Sequence, residues 1–303
     1  MQRARIGMVA VVVGVLALAS VAGADWNEGD FAKWVQLPDL NIYTEPGQPV
    51  FGTGLDVNAT FPKVLAEDWL CTSKDFVTDF HIWGSWLFDE KPQPEMLRFW
   101  AGIYSNNPGD PAAGVPSHPE QLLWQREFVY SPDWCNNLTF TEREYARFPA
   151  DVFERWYDPN TDEIVGTDQG VWQYNFCIHP EDAFLQEGGP DAGAAQVYWL
   201  ALTALVPTDA NGMPLYRFGW KSAVDHRIDD GVYADWVWVE DAAGGGHYEP
   251  PMPGDWVDLR YPIGHPLEGQ TMDLSLVITP EPATLALLAL GAGGAMAVRR
   301  RRK

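Results

Sequence analysis

VWQYNFCIH, residues 171–179, alternates bulky apolar side chains with polar ones: Trp172, Tyr174, Phe176 and Ile178 share one face, and Gln173 and Asn175 take the other. A period of two belongs to an extended strand, where successive side chains point to opposite faces, and not to a helix. MDLSLVI (272–278) repeats the pattern, with Met272, Leu274, Leu276 and Ile278 against Asp273 and Ser275. LRFWAGIY (97–104) does so with Leu97, Phe99, Ala101 and Ile103. By contrast VYWLALTALV (197–206) is apolar on both faces, as a central strand of a core must be. Further runs at 76–87, 122–130, 215–220 and 233–240 bring the strands to eight or more.

The connections are built from turn formers, among them NNPGDPAAGVPSHP, EGGPDAG, DANGMP and AAGGGHYEPPMPGD. Proline presets φ for a turn and glycine supplies positive φ, so such stretches join strands rather than extend them. No 3.6-residue pattern intervenes, and no internal repeat of fixed period is present. Many strands joined by Pro/Gly loops predict an all-β fold, an antiparallel β-sandwich of jelly-roll type. Residues 25–279 are expected to form it as one domain; the alternative is two sandwiches divided near 106–120 or 181–195.

The two ends carry a different signature. Arg3 and Arg5 precede an uncharged stretch over 6–21 that closes on Ala22-Gly23-Ala24. That order predicts a signal peptide over 1–24, with Ala22 and Ala24 read by signal peptidase and a mature chain starting at Asp25. At the other end, Pro280-Glu281-Pro282 opens a run of 17 uncharged residues, 282–298, closed by Arg299, Arg300, Arg301, Arg302 and Lys303. As a helix that run is about 25 Å long, the short edge of what crosses a bilayer. The expected transmembrane helix is 283–298, and the basic tail 299–303 holds its end on the cytoplasmic side.

Pro-Glu-Pro, a short apolar helix and a terminal arginine cluster together resemble the PEP-CTERM sorting signal. The resemblance implies a bacterial protein exported by the general secretory route and transiently inserted in the inner membrane. An exosortase partner then cuts near Pro280-Glu281-Pro282 and releases the protein or transfers it to the cell surface. The stretches FGWKSAVDHRIDDGVYAD (218–235) and LRYPIGHPLEGQTMDLSLVI (259–278) are also similar to an uncharacterised tryptophan-rich domain found in other proteins with this tail. That second resemblance implies no activity.

The mature stretch 25–279 carries 13 Lys+Arg and 41 Asp+Glu, so its net charge is 13 − 41 = −28, against −22 for the whole chain. Such a field repels nucleic acid and anionic polymers and attracts cations, which excludes a DNA or RNA partner. Cys71, Cys135 and Cys177 are too few for a disulfide scaffold and too far apart for a zinc knuckle. In an oxidising compartment they form one bridge with one thiol left over, or remain three buried reduced cysteines.

All 15 tryptophans fall within 25–279. An exposed indole is a platform for a sugar ring, with an apolar face and an N–H at its edge, whereas a buried one fills the core between sheets. Trp236 and Trp238, two apart on an expected strand, share a face and are the candidate ligand pair. Asp225, Asp229, Asp230 and Asp235 lie within eleven residues and form the candidate metal site, for a structural calcium; Asp158, Asn160, Asp162 and Glu163 form a second acidic turn. Neither has EF-hand spacing, and the competing reading is a solvated acidic turn.

No G-x-S-x-G, H-E-x-x-H or P-loop occurs, and the six histidines, His81, His118, His179, His226, His247 and His265, lack ligand spacing. No catalytic residue is assigned. The expected function is a secreted cell-surface or extracellular-matrix protein with a binding or structural role toward polysaccharide. The alternative is a carbohydrate-active enzyme, a polysaccharide hydrolase or lyase acting through two carboxylates across a cleft.

Overall fold

β-branched and aromatic residues dominate the stretches between the Pro/Gly turns, and in the computed structural model these stretches are strands. The structure describes residues 25–44, 50–110, 112–133, 135, 137–188, 196–224, 231–240 and 245–279. The signal-peptide site at Ala22 and Ala24, the tail from Pro280 to its basic end, and Asp225, Asp229 and Asp230 lie outside the described residues.

In chain order the first strands are β1 (Trp34–Gln36), β2 (Ile42–Tyr43), β3 (Val50–Asn58), β4 (Lys63–Cys71), β5 (Phe76–Val77) and β6 (Asp79–Trp86). After two single 3-10 turns come β7 (Arg98–Asn107), β8 (His118–Tyr130), β9 (Thr139–Arg147), β10 (Val152–Asp158), β11 (Glu163–Asp168) and β12 (Gly170–Cys177). The chain continues through β13 (Phe184–Leu185), β14 (Gln196–Leu205), β15 (Phe218–Lys221), β16 (Val232–Asp235) and β17 (Val237–Glu240). It closes with β18 (Gly246–Glu249), β19 (Val257–Asp258) and β20 (Leu276–Ile278). Among the described residues there is no α-helix, and none is long and apolar enough to cross a membrane.

The all-β expectation holds, but the arrangement differs from a purely antiparallel jelly roll. Sixteen strands join one sheet, whose main path runs β11-β10-β3-β15-β6-β12-β9-β8-β7-β14-β4-β16-β19. The pairing is mixed, because β10 runs parallel to β3 and β8 parallel to β9. Strand alternation is local and visible in sequence, whereas the direction of a neighbour depends on long connections. β14, the stretch apolar on both faces, lies between β7 and β4 as a central strand should.

β3 and β4 are consecutive in the chain yet sit far apart along this path. The step from Asn58 to Lys63 spans at most about 18 Å of extended chain, so the sheet must curl to bring the two together. Backbone hydrogen bonds fix that closure: Ala59 N–H donates to Phe218 O (2.9 Å), Phe61 N–H to Ala204 O (3.0 Å) and Ala204 N–H to Ala59 O (2.8 Å). Inside the curl lies the main core, where Phe80 stacks on Phe176 at 4.5 Å and Phe99 meets Phe218 edge-on at 5.2 Å.

The polar partners in the alternating strands do not face water. Gln173, Asn175, Asp273 and Ser275 are all 0% exposed. The N-terminal segment covers that face: Trp26 is buried and packs edge-on against Trp83 at 6.0 Å. The Trp26 carbonyl accepts from Gln173 Nε2 and from Arg143 Nη2, each at 2.8 Å, and Asn175 Nδ2 donates to Asp25 at 3.0 Å. Alternation here separates an apolar core from a second, hydrogen-bonded layer, which satisfies buried amides that would otherwise cost about 1–3 kcal/mol each.

Cys135 and Cys177 form a disulfide, and Cys71 is free and buried. The bridge ties the β8–β9 loop to the end of β12 across 42 residues of chain. Closing a loop of that length in the unfolded state is worth about 4 kcal/mol. The double variant Cys135→Ser/Cys177→Ser is expected to lose about 2–4 kcal/mol in urea unfolding of the 25–279 fragment, and Cys71→Ser to keep the bridge. Equal urea midpoints for the double variant and the parent would refute the assignment.

Candidate functional site

Leu55 and Val57 of β3, and Phe218 and Trp220 of β15, point into the main core, so Asp56 and Lys221 must point to the opposite face. The strand order β11-β10-β3-β15-β6 then sets Asp168, Glu154, Asp56, Lys221 and Ser85 on adjacent strands. The register pairs Glu154 with Asp168 and Lys221 with Asp56 directly across their ladders. One ammonium and three carboxylates meet in the interior: Asp56, Glu154 and Lys221 are 0% exposed and Asp168 is 2%.

Lys221 Nζ contacts Glu154 Oε1 and lies 3.6 Å from Asp56 Oδ2. Ser85 Oγ donates to Asp168 Oδ2 at 2.6 Å. The Phe148 ring caps the ammonium, its centroid 5.6 Å from Nζ. The backbone leaves no room here: a Cβ at Gly54 would lie 2.4 Å from Asp39 O and 2.7 Å from Glu154 Oε1. A Cβ at Gly219 would lie 2.7 Å from Trp156 Nε1 and 2.8 Å from Asp56 Cβ.

Burial, and for both groups the negative charge of Asp56, pushes the Glu154 and Asp168 carboxyls well above the usual carboxylate range; Lys221 only partly offsets this. For Lys221 burial alone lowers the pKa, but Asp56 and Glu154 outweigh it and hold the ammonium charged. One oxygen from each of the three carboxylates can be chosen so that all lie within 4.8 Å of one another, a donor set that suits a hard cation. Being sealed, these carboxylates cannot straddle a polysaccharide as the enzyme alternative requires.

The sequence did not single out this centre. Each member is one polar residue in a strand, and nothing local distinguishes a polar residue facing a second layer from one facing water. The acidic turn at 158–163 is occupied by protein donors instead: Asp158 pairs with Lys63 at 3.2 Å and accepts from Asn58 at 3.1 Å, and Asp162 accepts from the Tyr157 hydroxyl at 3.0 Å. Asp235, the described member of the other acidic cluster, accepts from Asn160 Nδ2 at 2.6 Å, which joins the two turns.

Trp236 and Trp238 separate. Trp236 falls at the break between β16 and β17, half-buried against Trp100 (4.9 Å) and Phe61 (5.6 Å). Trp238 stands on the β17–β18 hairpin, 51% exposed, opposite Tyr248, which is 42% exposed; their rings are 5.0 Å apart at 69°. Tyr248 in turn rests edge-on against Phe61 at 4.8 Å. Trp238 also lies on Gly246, where a Cβ would come within 2.3 Å of the indole. The result is an exposed two-ring ridge resting on half-buried aromatics.

Fold and sequence ends together define a class: an all-β domain followed by a sorting tail. The chain belongs to the family described as a domain of unknown function (DUF7901), whose model matches residues 32–279. Residues 279–302 match the PEP-CTERM protein-sorting motif, which includes Pro280, Glu281, Pro282 and the four arginines. This is therefore an exosortase-sorted exported protein, destined for secretion or the cell surface. No curated protein and no solved structure matches the chain.

Removing one partner from a buried ion cluster leaves uncompensated charge. Lys221→Met is expected to cost about 3–5 kcal/mol in urea unfolding. Arg98→Ala, which breaks the exposed Arg98–Glu127 pair, should cost less than about 1 kcal/mol. Similar losses for the two variants would contradict the picture of a sealed centre.

Proposed function

We propose that the mature domain is a surface-displayed binding module for neutral or weakly charged glycans of the cell surface or extracellular matrix. The observation that carries this reading is the Trp238/Tyr248 ridge, two exposed aromatic rings opposite one another on a hairpin that rests on Phe61. Indole and phenol faces cover the apolar side of a sugar ring, and their polar edges reach its hydroxyls. Contacts of Trp238 with Tyr248 and Gly246, and of Tyr248 with Phe61, restrict both rings and so lower the ordering cost of binding. The charge of −28 over 25–279 disfavours anionic polymers, so stacking rather than ion pairing is the mode of recognition.

In the same reading the apolar run 283–298 holds the precursor in the inner membrane, with Arg299–Arg302 on the cytoplasmic side, until an exosortase cuts near Pro280-Glu281-Pro282. Replacing those three residues with alanine is expected to leave the protein in the membrane fraction. Its unchanged appearance at the surface or in the medium would overturn this step.

Binding is tested by retention of the 25–279 fragment on immobilised neutral polysaccharides as NaCl is raised. Trp238→Ala should weaken retention about five- to tenfold, one aromatic contact of about 1–1.4 kcal/mol, and leave the melting curve unchanged. Trp236→Ala should lower the melting temperature, because it removes packing against Trp100 and Phe61. Absence of retention on any neutral glycan, or tight salt-sensitive retention on an acidic polymer, would end the aromatic-ridge account.

A further inference from the structure

Each carboxylate of the buried centre commits one oxygen to a protein partner: Asp56 Oδ2 and Glu154 Oε1 to Lys221, Asp168 Oδ2 to Ser85. The other oxygen of each, Asp56 Oδ1, Glu154 Oε2 and Asp168 Oδ1, is buried and has no protein N–H or O–H donor, and the Asp56 and Glu154 carboxyls lie within hydrogen-bond reach of one another. We propose that Asp56, Glu154 and Asp168 bind one divalent cation of the Ca²⁺ type, each through a carboxylate oxygen, as a structural site sealed behind the N-terminal segment.

Four observations carry it. First, oxygens bound to Ca²⁺ at 2.3–2.6 Å lie no more than about 5 Å from one another, and the three residues offer ligand atoms all within 4.8 Å. Second, the ligands come from β3, β10 and the end of β11, neighbouring strands of one ladder, so their positions are set by backbone hydrogen bonds rather than by a loop. Third, three carboxylates and one ammonium leave two negative charges uncompensated in a fully buried place. A divalent cation neutralises them and turns a costly cluster into a favourable one.

Fourth, Trp156 Nε1 is an independent sign of a missing partner. This indole is 0% exposed and its N–H has no acceptor. It ends beside Asp56, both Trp156 Nε1 and Asp56 Cβ lying within 2.8 Å of the Cβ position of residue 219. A water in the cation's shell gives that donor an acceptor. Ca²⁺ is favoured over Mg²⁺ because Mg²⁺ holds its own waters in near-octahedral array and is seldom caged by protein carboxylates alone. This inference is independent of the glycan reading, since ridge and centre share no residue.

The competing way to neutralise the centre is two protons, and the test separates the two. The full chain, purified in mild detergent, is stripped with chelator, desalted and titrated with Tb³⁺ while the indoles are excited. The expected result is sensitised emission that saturates near one equivalent, is displaced by Ca²⁺ at far lower concentration than by Mg²⁺, and accompanies a rise in melting temperature on adding Ca²⁺. Asp168→Asn should abolish the saturating emission, and Trp156→Phe should dim it while leaving the Ca²⁺-dependent melting shift in place. If Asp168→Asn does not fold, the Trp156→Phe result decides. No one-equivalent phase and identical melting with Ca²⁺ or chelator would show that protons occupy the centre. Emission undiminished in the Trp156→Phe or Asp168→Asn variants would move the ion to an exposed acidic turn; either result overturns the proposal.

Discussion

Four residues join β3 to β4, and most of the architecture follows from how short that link is. The two strands run in different stretches of a long ladder, so the ladder has to curl until residues 59–61 hydrogen-bond with β14 and β15. Curling gives the sheet an inside, filled by Trp69, Trp86, Trp220 and a run of edge-on phenylalanines. It also gives β3, β15, β6 and β12 an outer face too large to leave to solvent in a chain this rich in aromatics. The N-terminal segment covers it, with Trp26 inserted against Trp83.

Covering that outer face has an electrostatic consequence. Strands whose inward residues are apolar carry polar residues outward, and here outward means into a second interior. Several of those groups find partners: Gln173 and Asn175 bond the N-terminal segment, and His81 Nδ1 lies 2.7 Å from Asn175 Oδ1. On the inner face, beside Leu65 and Trp69, Glu67 accepts from Gln36 and from the Leu274 N–H. Burial lowers the pKa of His81, whose neighbours Asp79, Asn175 and Asp25 oppose the shift and Arg143 adds to it, and raises that of Glu67. Charge is concentrated around Lys221, where Asp56 Oδ1, Glu154 Oε2 and Asp168 Oδ1 have no protein N–H or O–H donor.

Export and architecture fit one another. The Cys135–Cys177 bridge belongs in an oxidising compartment, and the sorting tail takes the chain there. Beside the curled sheet, the paired strands β17 and β18 leave Trp238 and Tyr248 exposed. Strong net negative charge keeps such an aromatic-rich domain soluble outside the cell.

Period-two alternation in VWQYNFCIH, MDLSLVI and LRFWAGIY determined that the chain is all-β, and the charge-and-hydropathy order of the tail determined how it is sorted; both are local patterns that a single stretch expresses in full. The exposed indole was half legible: Trp238 was picked out with Trp236, but the strand break at 236 that sends one ring inward is not written in the alternation. The bridge was legible only as one of two states, because pairing needs Cys135 and Cys177 to be brought together across 42 residues. The carboxylate centre belonged entirely to tertiary structure. Residues 56, 154, 168 and 221 become neighbours through the parallel β10–β3 pairing and the registers Glu154↔Asp168 and Asp56↔Lys221. Those registers are set by long-range ladder bonds and by which face the core claims, and no window of sequence contains that information.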